Sequence, residues 1–102
     1  TDVDQSHLSG TVITSAQKEI DIVVNDMLNN YADGRYVGGT AFNYTAQNSG
    51  VSLQMDNAKF TNFGKNDYEE LFNKLKNGKI ELKKDTGVNS VKELTGEWVI
   101  IK

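Results

Sequence analysis

A chain of 102 residues, 25% charged and 37% hydrophobic, has the composition of one globular domain or a piece of one rather than of a disordered tail. Its net charge of -3, with no basic cluster beyond the pair Lys83 and Lys84, excludes a general nucleic-acid binder, because phosphate neutralisation needs grouped Lys and Arg. With no cysteine there is no disulfide framework, cysteine-held zinc, iron–sulfur cluster or thiol catalysis, and no cofactor is expected.

In chain order, residues 12–14 have the character of a short strand. Over residues 15–33, Ala16, Ile20, Val23, Val24, Met27, Leu28 and Tyr31 recur at helical spacing and predict an amphipathic helix. Thr14 or Ser15 is placed to cap it, Glu19 and Asp21 lie toward its positive end, and Gly34 offers a left-handed stop. Residues 37–44 and 51–55 read as two strands of a β-hairpin, joined through the turn formers Asn48, Ser49 and Gly50. A second helix is predicted over 66–77, with Tyr68, Leu71, Phe72 and Leu75 on one face, Asn66 and Glu69 spaced as a capping box, and Gly78 closing it. Ile80 and Leu82 alternate with polar neighbours as a short strand, and the apolar run 98–101 suits a strand buried on both faces. The polar stretch 83–97 reads as a loop in which Val88, Val91 and Leu94 form a single weak turn of helix. These elements define an α/β fold class, and no repeat or linker divides the chain.

The residues that carry chemistry are few. Asp2 and Asp4 lie on one side of an extended segment, where carboxylates accept hydrogen bonds from ligand hydroxyls or help hold a cation, although solvated loop carboxylates are the commoner outcome of that spacing. A calcium loop is excluded, since His7 stands where the sharp-turn glycine belongs and Ile13 where the bidentate glutamate belongs. Ser15-Ala16-Gln17-Lys18 matches the Ser-x-x-Lys element of penicillin-interacting serine enzymes. No Ser-Asp-Asn accompanies it, and the Lys-Thr-Gly element is broken as Lys84-Asp85-Thr86-Gly87, so a capping serine accounts for it better. His7 is the single histidine, which leaves no histidine pair for a metal. Asn43-Tyr44-Thr45 is a formal glycosylation acceptor inside a predicted strand. Phe42, Tyr44, Phe60 and Phe63 read as core, because no basic residues interleave with them as in a base-stacking platform.

Taken together, Asp2-Val3-Asp4-Gln5, Val12-Ile13-Thr14-Ser15, Lys18 and Asp21 resemble the Val-Asp-x-Asp-Gln and Thr-Ser-x-x-Lys-x-x-Asp elements of the basic membrane protein family, the substrate-binding lipoproteins of nucleoside ABC importers. The resemblance continues through residues 33–40, 50–53 and 77–80. It implies the C-terminal portion of a type I periplasmic-binding-protein fold: residues 1–14 ending the second lobe and crossing the hinge, 15–82 supplying first-lobe helices and a hairpin, and 83–102 forming a tail with short C-terminal strands. The implied function is non-enzymatic. A bacterial surface protein, held at the extracytoplasmic face of the cell membrane by a lipid anchor absent from this chain, would deliver a purine nucleoside to an ABC permease. By the same resemblance, Asp2 would accept hydrogen bonds from the ribose hydroxyls and Lys18 would reach the same cleft, with no catalytic residue and no metal ligand. Charge-assisted hydrogen bonds of that kind are short and strong. A piece with open strand edges is also expected to self-associate, as a homodimer or by exchange of an element. The alternatives are a surface interaction or antigen protein on the same scaffold and, with least support, a serine hydrolase using Ser15 and Lys18.

Overall fold

Both helices form where apolar periodicity places them. In the computed structural model, which describes residues 1–97 and 99–101, α1 spans Ile20–Ala32 and α2 spans Lys65–Lys76. Each ends in the same way. The Arg35 N–H donates to the Asn30 carbonyl at 2.7 Å and the Gly34 N–H to the Tyr31 carbonyl at 3.1 Å, while Lys79 donates to Lys74 at 2.9 Å and Gly78 to Leu75 at 3.2 Å. These are Schellman closures, and the glycines take the left-handed conformation that such closures require, with φ of 69° and 70°. A Cβ at Gly34 meets nothing within 4 Å, so Gly34→Ala tests conformation alone. It is expected to cost about 1 kcal/mol and to lower the melting temperature by about 4–8 °C, with Gly34→Asn recovering part of the loss in thermal denaturation.

The helix starts differ from expectation. α1 begins at Ile20 rather than at residue 15, with Glu19 at the cap position and no side chain capping it. The three residues before it form a strand, β1 (Ala16–Lys18), antiparallel to β2 (Val51–Leu53) with Ala16 opposite Leu53, Gln17 opposite Ser52 and Lys18 opposite Val51. Ala, Gln and Lys are good helix formers, but propensity over three residues is a weak preference that ladder pairing overrides. Glu19 N–H to Gly50 carbonyl (3.0 Å) and Gln54 N–H to Ser15 carbonyl (2.9 Å) extend the ladder at either end. The α2 start is held by Asp67, whose carboxylate accepts from the Gly64 N–H at 2.9 Å, rather than by Asn66 and Glu69.

The predicted hairpin is corrected in its partner. β2 pairs with β1 from far upstream, and residues 37–44 form no strand. Gly39, at φ 74°, turns that segment, and the Tyr44 hydroxyl ties it to α1 by donating to the Asp26 carboxylate at 2.7 Å. The turn itself is present as a 3-10 turn over Ala46–Asn48, capped by Thr45, with Ser49 left-handed at φ 58°. Residues 12–14 and 80–82 are irregular. The predicted C-terminal strand begins on Trp98, which lies outside the described residues, and 99–101 form no strand. The weak helical turn appears as a 3-10 turn over Val91–Leu94.

The result is an α/β arrangement of two helices and a two-stranded antiparallel sheet, consistent with a fragment of a periplasmic-binding-protein-like fold. Its apolar faces are largely uncovered. Among the described residues no hydrophobic side chain is fully buried; Val23 and Met27 of α1 and Tyr68, Phe72 and Leu75 of α2 are half-buried, while Val24, Leu28 and Leu71 face solvent. The accessible surface is 8224 Å², against about 5,700 Å² for a folded monomer of this length. The radius of gyration is 16.9 Å, against about 13 Å. Between the sheet and α2 lies an open, apolar cavity of about 440 Å³, walled by Ala16, Val51 and Leu53 on one side and Tyr68, Leu71 and Phe72 on the other. No helix among the described residues is long and apolar enough to cross a membrane.

Candidate ligand-binding site

Asp2 and Lys18 are brought together by backbone pairing. The Thr1 nitrogen donates to the Ala16 carbonyl at 2.6 Å, and the Lys18 N–H donates to the Thr1 carbonyl at 2.8 Å. One residue bonded to both neighbours of its opposite number is the parallel pattern, so Thr1 lies opposite Gln17 and Asp2 opposite Lys18. Side chains opposite one another in a ladder share a face. The Lys18 Nζ accordingly sits 3.1 Å from Asp2 Oδ1, with the side chains 68% and 61% exposed. So exposed a pair contributes at most about 1 kcal/mol to stability. Its charges stay open to a ligand.

Asp4 has a different environment. Rather than standing beside Asp2 as a second free carboxylate, it accepts from the Ser6 N–H (2.9 Å), the Ser6 hydroxyl (2.7 Å), Asn57 Nδ2 (3.3 Å) and, more weakly, the Ser15 hydroxyl (3.4 Å). The side-chain and backbone hydrogen bonds from Ser6 lower its pKa below the ordinary carboxylate value. Because the folded-state pKa is depressed, the stability it contributes is complete above about pH 4 and is lost as the pH falls through the folded value. The melting temperatures of wild type and Asp4→Asn are therefore expected to converge as the pH is taken from 6 toward 2, which thermal scans across that range will show.

Ser15 is no nucleophile in this arrangement. It is 5% exposed, and its hydroxyl oxygen accepts from the Gln5 N–H at 2.9 Å. It precedes a strand instead of opening a helix, so the three-residue step to Lys18 no longer spans one helical turn but crosses to the other face of the strand. The Ser-x-x-Lys geometry does not form. Nor does Ser15 cap a helix; with Asp4 it closes a loop. Lys59 adds to that loop by donating to the carbonyls of Ser6 (2.6 Å) and Ser9 (2.8 Å). Asn57 and Lys59 were not legible as part of this cluster, whereas Asp4-Gln5-Ser6 carries a local signal, since an Asp that accepts from the N–H two residues on makes an Asx turn. Phe60 and Phe63 pack edge to face, 5.2 Å between centroids, and Tyr31 and Tyr36 do so at 6.2 Å. Neither aromatic pair includes a residue of the Asp2–Lys18 pair.

Two helices on a two-stranded antiparallel sheet are consistent with a piece of a periplasmic-binding-protein-like α/β fold. Over 50 residues, 49% of this chain, the sequence is 42% identical to the ABC transporter nucleoside-binding protein BmpA of Lactococcus lactis subsp. cremoris. The matched stretch spans 14% of the length of that relative. No family model matches the chain, and no solved structure matches it.

Proposed function

We propose that this chain is part of a non-enzymatic substrate-binding protein of an ABC importer, working at the extracytoplasmic face of the cell membrane, and that Asp2 and Lys18 grip the ribose of a purine nucleoside. The observation that carries the reading is the juxtaposition of an exposed carboxylate and an exposed ammonium where residues 1–3 meet β1. Partial identity to a nucleoside-binding protein supports it. Two vicinal hydroxyls match a carboxylate, which accepts from both, and the ammonium offers donors to ring or hydroxyl oxygens while offsetting the charge of Asp2. Residues 1–14 would close one lobe and cross the hinge, and residues from 15 onward would belong to the other. Closure of the lobes would remove water from the pair and strengthen both contacts. Surfaces that bury the base lie on the cleft walls that face the pair in this reading, because a site enclosing most of a small ligand needs walls on both sides. A lipid anchor on the intact protein and a partner permease complete the proposal.

Calorimetric titration of the intact protein with guanosine, inosine, adenosine, free base and free ribose tests it. Nucleosides are expected to bind with micromolar or tighter affinity and well ahead of base or sugar alone. No heat with any nucleoside would end the proposal.

A further inference from the structure

We propose that Asp4 is a positioning residue for the ligand site, fixing the register of the segment that carries Asp2 against the strand that carries Lys18. The inference rests on the ribose-gripping role proposed above for that pair. The segment 1–5 is tied to the chain around β1 at two places. At one end are the main-chain bonds of Thr1 to Ala16 and Lys18; at the other, the Gln5 N–H donates to the Ser15 hydroxyl. Asp2 lies between them. The first tether has two main-chain bonds and a longer one from the Thr1 hydroxyl to the same Ala16 carbonyl (3.3 Å), all at the single residue Thr1. That is too short a ladder to specify register by itself, and a slip of one residue would carry Asp2 to the face away from Lys18.

Asp4 makes the second tether rigid. Its carboxylate bridges three separate stretches of chain: its own turn at Ser6, the start of β1 at Ser15 and the 55–59 turn at Asn57. Ser15 and Ser6 are the two buried polar side chains of the described residues, at 5% and 6% exposure, so the junction has little room to shift. The two carboxylates of the Asp-Val-Asp sequence thus divide their tasks. Asp4 has its acceptor positions filled by the protein, whereas among the described residues Asp2 has the single side-chain partner Lys18.

Two readouts on the intact protein test this in wild type, Asp2→Ala, Asp4→Ala, Asp4→Asn and the Asp2→Ala/Asp4→Ala double variant. The first is hydrogen exchange at the Lys18 amide, whose bond to Thr1 reports register without any ligand. Asp4→Ala is expected to speed it by roughly tenfold, with amides of α2 unchanged and Asp4→Asn intermediate. The second is the affinity for guanosine and for 2′,3′-dideoxyguanosine. Asp4→Ala is expected to weaken guanosine by roughly tenfold, to leave the dideoxy compound within about twofold, and to add nothing to Asp2→Ala. Unchanged Lys18 exchange, equal losses for both ligands, or full additivity with Asp2→Ala would each overturn the positioning role. Faster exchange in a protein whose wild type binds no nucleoside would instead overturn the function on which the inference rests, and the positioning role with it.

Discussion

Asp2→Ala is expected to weaken ribonucleoside binding by about 100-fold or more, since it removes the acceptor of both ribose hydroxyls, while leaving the fold intact. Hydrogen bonds to a charged group contribute about 1.5–3 kcal/mol each, and every 1.4 kcal/mol is a factor of ten in affinity. The same carboxylate does little for stability, since its partner Lys18 is 68% exposed and a pair so solvated is worth at most about 1 kcal/mol. Removing it therefore separates binding from folding. Lys18→Met, which keeps the stem but not the ammonium, is expected to cost less, because it removes donors to the ligand while the main-chain bonds of Thr1 still hold Asp2 in place. Paired calorimetric and thermal-melting measurements on these variants check the expectation. A large fall in melting temperature with Asp2→Ala would place the carboxylate in folding rather than in recognition.

Gly50→Ala is expected to be the most damaging single substitution for stability. Gly50 is buried where the turn after residues 46–48 enters β2, its N–H donating to the Thr45 carbonyl at 2.9 Å and its carbonyl accepting from Glu19 N–H at 3.0 Å. A Cβ there would overlap the Tyr44 Cβ and lie 3.1 Å from the Tyr44 Cα and 3.2 Å from the Asn48 Oδ1. Backbone atoms cannot swing aside as a flexible side-chain tip can. The chain would have to move at the point where β2, the turn and the start of α1 are joined. Overpacking of this kind costs about 1–3 kcal/mol, which at about 4–8 °C per kcal/mol is a fall in melting temperature on the order of 10 °C. Gly10→Ala is the matched control, because a Cβ at Gly10 meets nothing within 4 Å, and it is expected to leave the melting temperature within about 2 °C.

Both helices were legible because their signals are local. The apolar stripe of α2 and the sequence Gly-basic-apolar after each helix specify period and stop within a few residues, and Gly34 and Gly78 take the conformations those stops require. β1 was not legible. Ala16, Gln17 and Lys18 show no alternation of apolar and polar residues, Ala16 continues the helical stripe of α1 in phase, and their strand partner lies more than thirty residues away. The predicted hairpin has the wrong partner for the same reason: residues 37–44 lie one short turn before β2 and are rich enough in β-formers to suggest local pairing. Nothing in their pattern reports that β2 pairs instead with β1, far upstream.

The candidate site was legible in a narrower sense. Asp2 and Lys18 were singled out by an ordered string of short motifs, and sixteen positions of separation say nothing about contact; only the parallel register of Thr1 against Gln17 brings them within 3.1 Å. Asp4 and Ser15 carried visible signals that pointed elsewhere. An Asp beside an Asp suggested a second ligand acceptor, and a Ser ahead of an apolar stripe suggested a cap. In the fold the two side chains meet because the chain reverses between them through residues 6–14, and hydrogen bonding there uses up the acceptors that the sequence left open.

The most direct measurement is a crystal structure of the intact protein with guanosine bound. Both ribose hydroxyls are expected within hydrogen-bonding distance of the Asp2 carboxylate, about 2.5–3.0 Å, with the Lys18 ammonium lining the same cleft. A nucleoside seated elsewhere, with Asp2 and Lys18 left in solvent or sealed off from the cleft, would contradict it.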